Sequence, residues 1–108
     1  DTMRGGKGHD TMRGGQGDDH LRGNRGRDRI NGKKDHDVIR GGRGKDTLRG
    51  GQGNDTLWGG SRSDSLIGGP GADHFLLSKG RDQIKDFKPN HGDTIQAPSY
   101  ASLQVIQE

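Results

Sequence analysis

Single apolar residues stand nine positions apart along most of the chain: Met3, Met12, Leu21, Ile30, Ile39, Leu48, Leu57, Leu66, Phe75 and Ile84. Each has polar or small neighbours on most sides, so no helical stripe and no long alternating strand can be drawn through them. A lone apolar residue between two polar ones reads as a strand of three residues with one side chain inward. The glycine-rich interval between successive triplets reads as a turn. Two nine-residue units then make one coil of 18 residues with a strand on each side. Residues 18 apart stack at the strand spacing of about 4.8 Å, and the apolar residues form a thin continuous core. The expected fold is all-β and parallel, with about four and a half coils.

Ten aspartates keep the same period: Asp1, Asp10, Asp19, Asp28, Asp37, Asp46, Asp55, Asp64, Asp73 and Asp82. A glycine precedes most of them by five, at Gly5, Gly14, Gly23, Gly32, Gly41, Gly50, Gly59 and Gly68. The full unit is Gly-Gly-x-Gly-x-Asp-x-apolar-x, intact from Gly5, Gly14, Gly41, Gly50 and Gly68. Asn24, Lys33, Asp35 and Arg62 replace glycines in the remaining copies, and a tenth unit keeps only Gly80, Asp82 and Ile84. Stacking at 18 residues divides the aspartates into two ladders, Asp1-Asp19-Asp37-Asp55-Asp73 and Asp10-Asp28-Asp46-Asp64-Asp82. Carboxylates piled that closely repel one another unless a cation lies between them. The glycines admit positive φ and let turn carbonyls approach the same place. Oxygen donors in a flexible turn suit Ca²⁺, with Mg²⁺ the weaker candidate.

Composition pulls the other way. With 22% hydrophobic and 31% charged residues and 22 glycines, the chain falls where disorder is expected, and only the repeat overrides that expectation. A core of one apolar residue per nine does not offset the entropy of ordering so glycine-rich a chain. Folding is therefore expected to depend on the metal. Cysteine is absent, which excludes disulfides and thiolate sites. No segment is apolar enough for a membrane span or a cleaved leader. A start in mid-repeat at Asp1 reads as a piece of something longer.

The repeat resembles the calcium-binding nonapeptide repeats of the RTX (repeats-in-toxin, haemolysin-type) family over residues 1 to about 85. The resemblance implies a right-handed parallel β-roll with calcium in the turns, in a secreted bacterial protein exported by a type I system. It also implies that each ion is held by one ladder aspartate and its partner 18 residues on. Carbonyls of Gly6 and Gly8, Gly15 and Gly17, Gly42 and Gly44, Gly51 and Gly53, and Gly69 and Gly71 would complete the shells. Up to eight inter-turn sites follow, and Lys33, Asp35 and Arg62 disturb those they border. The stretch from Gly80 to Ile95 is similar to segments that close such rolls, with Ile84, Phe87 and Ile95 around a turn at Pro89 to Gly92. Residues 86–108 are expected to cap the roll at residues 1–85. Leu103, Val105 and Ile106 would belong to that cap or to an export signal.

Charge departs from the usual acidic character of that family. The chain has 18 Lys plus Arg against 15 Asp plus Glu, and ten of the acids are ladder aspartates. The outer surface is therefore cationic, with stacked columns at Arg4, Arg22, Arg40 and Trp58 and at Arg13, Asn31 and Arg49. Such columns fit a polyanion, whether anionic polysaccharide, lipopolysaccharide or, less well, nucleic acid. They equally fit solvated strand faces that offset the ladders. The Arg-Gly-Gly runs at Arg4, Arg13, Arg40 and Arg49 echo disordered RNA-binding boxes, which need no phased aspartate. His9, His20, His36, His74 and His91 lack zinc-ligand spacing and read as solvent-facing substitutions. Asp18 and Asp35 read as ordinary turn residues and not as ligands. Trp58 reads as an exposed strand residue, with sugar stacking the alternative. No nucleophile elbow, zinc-protease helix or P-loop occurs, so catalysis is not expected within this chain. The function expected is a calcium-dependent folding and secretion module. The alternatives are an adhesive polyanion surface, or the C-terminal module of a secreted protease or lipase.

Overall fold

A computed structural model describes residues 2–77, 81–87, 92–96 and 102–105. Within them the chain is a parallel β-solenoid of about five coils with about 18 residues per coil and no helix. One sheet holds β1 (Thr2–Arg4), β3 (His20–Arg22), β5 (Val38–Gly42), β7 (Thr56–Gly60), β9 (His74–Leu76) and β11 (Thr94–Gln96), hydrogen-bonded in that order. The other holds β2 (Thr11–Arg13), β4 (Arg29–Asn31), β6 (Thr47–Arg49), β8 (Ser65–Ile67), β10 (Arg81–Ile84) and β12 (Ser102–Val105). Odd and even strands separate because each nine-residue unit carries the chain from one sheet to the other.

The register follows the repeat. Met3 pairs with Leu21, Leu21 with Ile39, Ile39 with Leu57 and Leu57 with Phe75. In the facing sheet Met12, Ile30, Leu48, Leu66 and Ile84 align in the same way. These side chains from Met12 to Ile84, joined by Leu77, form one buried core, while Met3 is 39% exposed at the start of its column. Since a single inward side chain per strand fills the space between the sheets, the flanking residues must point outward.

Beyond β9 and β10 the spacing loosens. His74 pairs with Thr94 and Arg81 with Ser102, so the last two strands join the sheets after longer excursions. Phe87 and Ile95 pack against the core there, and the Phe87 ring meets Phe75 edge-on with centroids 6.3 Å apart. The Asp86 carboxylate accepts the N–H groups of Gly68 at 2.8 Å and Gly69 at 2.6 Å. The expected turn at Pro89 to Gly92 lies, except for Gly92, outside the described residues, as do Asp1, His91 and Ile106.

Candidate metal centre

From Asp10 to Asp73 each ladder aspartate stands at the end of a turn, directly before a strand, whereas Asp82 lies within β10. From Asp28 on, the side chains reach back along the stack. Asp28 Oδ1 accepts the Asp10 N–H at 2.9 Å, Asp46 Oδ1 the Asp28 N–H at 2.9 Å, Asp64 Oδ1 the Asp46 N–H at 2.8 Å, and Asp82 Oδ1 the Asp64 N–H at 3.0 Å. On the other edge Asp37, Asp55 and Asp73 accept the N–H groups of Asp19, Asp37 and Asp55, each at 2.9 Å. That ladder has a further rung. Asp93 Oδ1 accepts the Asp73 N–H at 2.8 Å, and Asp93 is 5% exposed. Its spacing of 20 residues from Asp73 lies off the nine-residue period, although Asp93-Thr94-Ile95 repeats the Asp-x-apolar signature.

The second carboxylate oxygen is the unusual feature. Among the described residues the Oδ2 atoms of Asp10, Asp28, Asp37, Asp46, Asp55, Asp64, Asp73 and Asp82 are enclosed and have no hydrogen-bond partner. A buried carboxylate oxygen without a partner is costly in its charged form. Burial accordingly pushes the carboxyls of Asp37, Asp46 and Asp55 up to about 6 and that of Asp73 up to about 8, against a backbone hydrogen bond that pulls each down. The preceding carboxylate in the stack adds to the rise in each. Asp28, Asp64 and Asp82 are raised too, chiefly by burial.

Glycine serves this arrangement in two ways. At the first position no positive φ is involved, but the space is taken: a Cβ on Gly5 would lie 2.5 Å from Asp10 Oδ2 and 2.9 Å from the Gly23 carbonyl oxygen. The same two oxygens crowd Gly14, where Asp19 Oδ2 and the Gly32 carbonyl come within 2.6 and 2.9 Å of that point. A carboxylate oxygen of one coil and a first-position carbonyl of the next therefore converge on Gly5, Gly14, Gly23, Gly32 and Gly41, while at Gly50, Gly59 and Gly68 the nearest atoms are those of the aspartate alone. The glycines at the second and fourth positions all have positive φ, from +83° at Gly15 and Gly69 to +109° at Gly71. Asn24, Lys33, Asp35 and Arg62 hold the same backbone at +73°, +75°, +74° and +70°, so the degraded units keep the turn at a steric cost.

The turn carbonyls run along the stack. Gly6 O accepts the Arg25 N–H at 3.1 Å, Gly15 O the Lys34 N–H at 3.2 Å and Gly42 O the Ser61 N–H at 3.1 Å. Fourth-position carbonyls of Gly8, Gly26 and Gly53 press on Gly26, Gly44 and Gly71 of the next coil. Of the glycines expected to lend carbonyls, Gly6, Gly8, Gly15, Gly17, Gly42, Gly44, Gly51, Gly53, Gly69 and Gly71 all adopt the positive φ of the turn. The structure brings the aspartates from Asp10 to Asp82 into the two expected ladders, while Asp1 lies outside the described residues. Among the described residues no three acidic or imidazole side chains converge on one point. An ion in the turns would thus combine carboxylate oxygens with backbone carbonyls. The donor set is oxygen alone, crowded and partnerless at Oδ2, which fits a hard divalent cation.

Residues before the ladder aspartates form a further set of inter-coil bonds. Asp18 Oδ1 accepts the His36 N–H at 2.9 Å, His36 Nδ1 the Asn54 N–H at 2.8 Å, and Asn54 Oδ1 the Ala72 N–H at 2.8 Å. His9 Nδ1 likewise accepts the Arg27 N–H at 2.9 Å. Two histidines expected only to face solvent are therefore acceptors in the stack, since a side chain in that position needs no more than one correctly placed lone pair.

Residues 1–30, 22–57 and 49–84 match the RTX calcium-binding nonapeptide repeat (4 copies). The chain belongs to the RTX calcium-binding repeat family. Its calcium-binding repeats form the β-solenoid described above. The family is a structural calcium-binding module and the match names no enzyme. Neither a curated protein nor a solved structure matches the chain.

Proposed function

We propose that this chain is a calcium-dependent folding module of a secreted protein, unfolded where calcium is scarce and assembled where it is abundant. The observation that carries the reading is the row of eight enclosed, partnerless Oδ2 atoms. At neutral pH burial opposes their ionisation, and a divalent cation offsets that cost while drawing adjacent coils together. The ligands proposed are the ladder aspartates Asp1 to Asp82, with Asp93 added, and carbonyls of the turn glycines. Up to eight inter-turn sites would fill. Residues 86–108 would close the roll formed by residues 1–85.

Such coupling suits export, because a chain that cannot fold without calcium stays threadable in a calcium-poor compartment and folds by mass action outside. Type I secretion is the route this reading favours. Far-UV circular dichroism in chelator and in calcium tests it. The β signal should be absent in chelator at neutral pH and return on adding calcium; a chain equally folded in both would sink the proposal.

A second reading, capture of an anionic polysaccharide or other polyanion, is favoured by charge placement. The ladder aspartates from Asp19 to Asp82 are buried, whereas Arg4, Arg13, Arg22, Arg25, Arg40 and Arg49 are exposed. A partner would meet many bases but few acids, Asp18 and Asp35 among them.

A further inference from the structure

The exposed bases are not spread evenly, and one group of them lines a groove. Along the outer face of the even-numbered sheet, Arg13, Asn31, Arg49 and Ile67 stack in direct register on β2, β4, β6 and β8. Beside them the third turn positions stack as Gln16, Lys34, Gln52 and Pro70. The two columns face a common groove of about 690 Å³, with Lys33 on its wall and no acidic side chain among its lining residues. At the strand spacing the groove runs roughly 14 Å along the solenoid axis.

Its chemistry is specific. Asn31 Oδ1 accepts the Lys33 N–H at 3.0 Å, which leaves the Asn31 amide NH₂ to act as a donor. Gln16 and Gln52 are exposed amides that both donate and accept. Pro70 has no N–H for the Gly51 carbonyl, so the inter-coil bond that Gln52 makes to Lys33 O at 2.8 Å is not repeated there. Ile67 and Pro70 supply an apolar surface at one end. Cations for anionic groups, amides for hydroxyls and an apolar patch for a ring face together describe a polyhydroxylated, negatively charged chain.

We propose that this groove binds a linear acidic polysaccharide, carboxylated or sulfated, laid along the solenoid axis. The proposal rests on the charge reading above and gives it a place and a ligand class. Arg13 and Arg49 are two coils apart and contact successive anionic groups, Lys33 and Lys34 meet them from the turn side, and Asn31, Gln16 and Gln52 bind hydroxyls between. Single-stranded nucleic acid is the poorer fit. Its sequence-tolerant binding relies on aromatic stacking, and no aromatic residue lines the groove. Trp58 lies on the opposite sheet with the Arg40 guanidinium 4.8 Å from its ring centre.

The opposite turn edge provides an internal control, since Lys7, Arg25 and Arg43 occupy the equivalent third positions and are exposed. Binding of a heparin hexasaccharide, a hexagalacturonate and a single-stranded DNA of equal charge is measured calorimetrically in excess calcium at about 0.15 M salt, with the fold of each variant checked by circular dichroism. The triple variant Arg13→Gln, Lys34→Gln, Arg49→Gln should weaken binding of an acidic oligosaccharide by about tenfold or more. The triple variant Lys7→Gln, Arg25→Gln, Arg43→Gln removes the same charge and should weaken it by less than about threefold. On the unaltered chain, bound oligosaccharide should shield Lys34 but not Lys7 from acetylation. Equal losses in both variants, equal shielding of both lysines, tighter binding of the DNA, or no oligosaccharide binding would each overturn the groove assignment. A chain that proves folded without calcium would overturn the folding reading instead and leave this comparison intact.

Discussion

Asp46 Oδ2 lies against the α-carbon of Gly41, in the space a Cβ would occupy, and the Gly59 carbonyl oxygen of the next coil is 2.8 Å from that same point. Five residues of chain separate the pair, and the repeat places the same contact in nearly every unit. The first glycine of the motif is thus fixed by what its missing side chain leaves room for, not by an unusual backbone angle.

Alanine at this position should be severe. Gly41→Ala drives a methyl into a carboxylate oxygen and a backbone carbonyl, neither free to retreat, and should cost about 1–3 kcal/mol or more. A calcium titration followed by circular dichroism should show a higher midpoint and a smaller folded amplitude. Glu and Lys in place of exposed Gln16 or Gln52 should leave the midpoint unchanged.

The ladder oxygens can be separated by an isosteric change. Asp46→Asn keeps the acceptor for the Asp28 N–H but removes one negative charge from the stack. Calcium affinity follows ligand charge, so the midpoint should rise by roughly tenfold. The metal-free chain should meanwhile become easier to fold, because no buried charge remains at that rung. A variant whose calcium midpoint does not move would place the ions away from Asp46.

Acid should replace calcium in part. The carboxyls of Asp37, Asp46 and Asp55 rise from 3.8 to about 6 in the folded chain, and that of Asp73 to about 8. A group whose pKa is raised by folding favours the folded state while protonated. Its contribution is fully present below pH 3.8 and is lost as pH climbs through about 6 and then about 8. In chelator the β signal should therefore be larger at pH 4 than at pH 9. In calcium the order reverses, and folding should release protons, measurable as a dependence of the binding heat on buffer ionisation enthalpy.

Restoring glycine should stabilise the degraded units. Arg62 and Lys33 hold φ at +70° and +75°, where a side chain clashes with its own backbone. Arg62→Gly should lower the calcium midpoint through relief of about 1 kcal/mol. Thermal unfolding in calcium gives the sign directly, and a destabilised variant would mean that the Arg62 side chain makes a compensating contact.

The rung at Asp93 offers a check on the end of the ladder. Asp93→Ala leaves the Asp73 N–H without its acceptor and should cost about 1–3 kcal/mol. Hydrogen exchange should then speed up first near Asp73, before the rest of the roll loosens.

The sequence by itself determined the fold class, the 18-residue coil, the two ladders and the core from Met12 to Ile84. A strict period leaves one way to bury one apolar residue per unit, and every residue 18 places on inherits its neighbour's environment. Even the metal was legible, because repeated carboxylates without thiols or phased imidazoles suit a hard cation. Three features were decided only by the folded chain. The two oxygens of Asp28, Asp37, Asp46, Asp55, Asp64, Asp73 and Asp82 take different roles, Oδ1 tied to a backbone N–H and Oδ2 left without a partner, and spacing cannot distinguish atoms of one side chain. Asp93 joins the ladder although its spacing breaks the period, since space, not sequence separation, sets the rung. The groove beside Arg13 and Arg49 unites residues from strands and from turns, and their approach depends on how sharply each turn folds back onto its sheet.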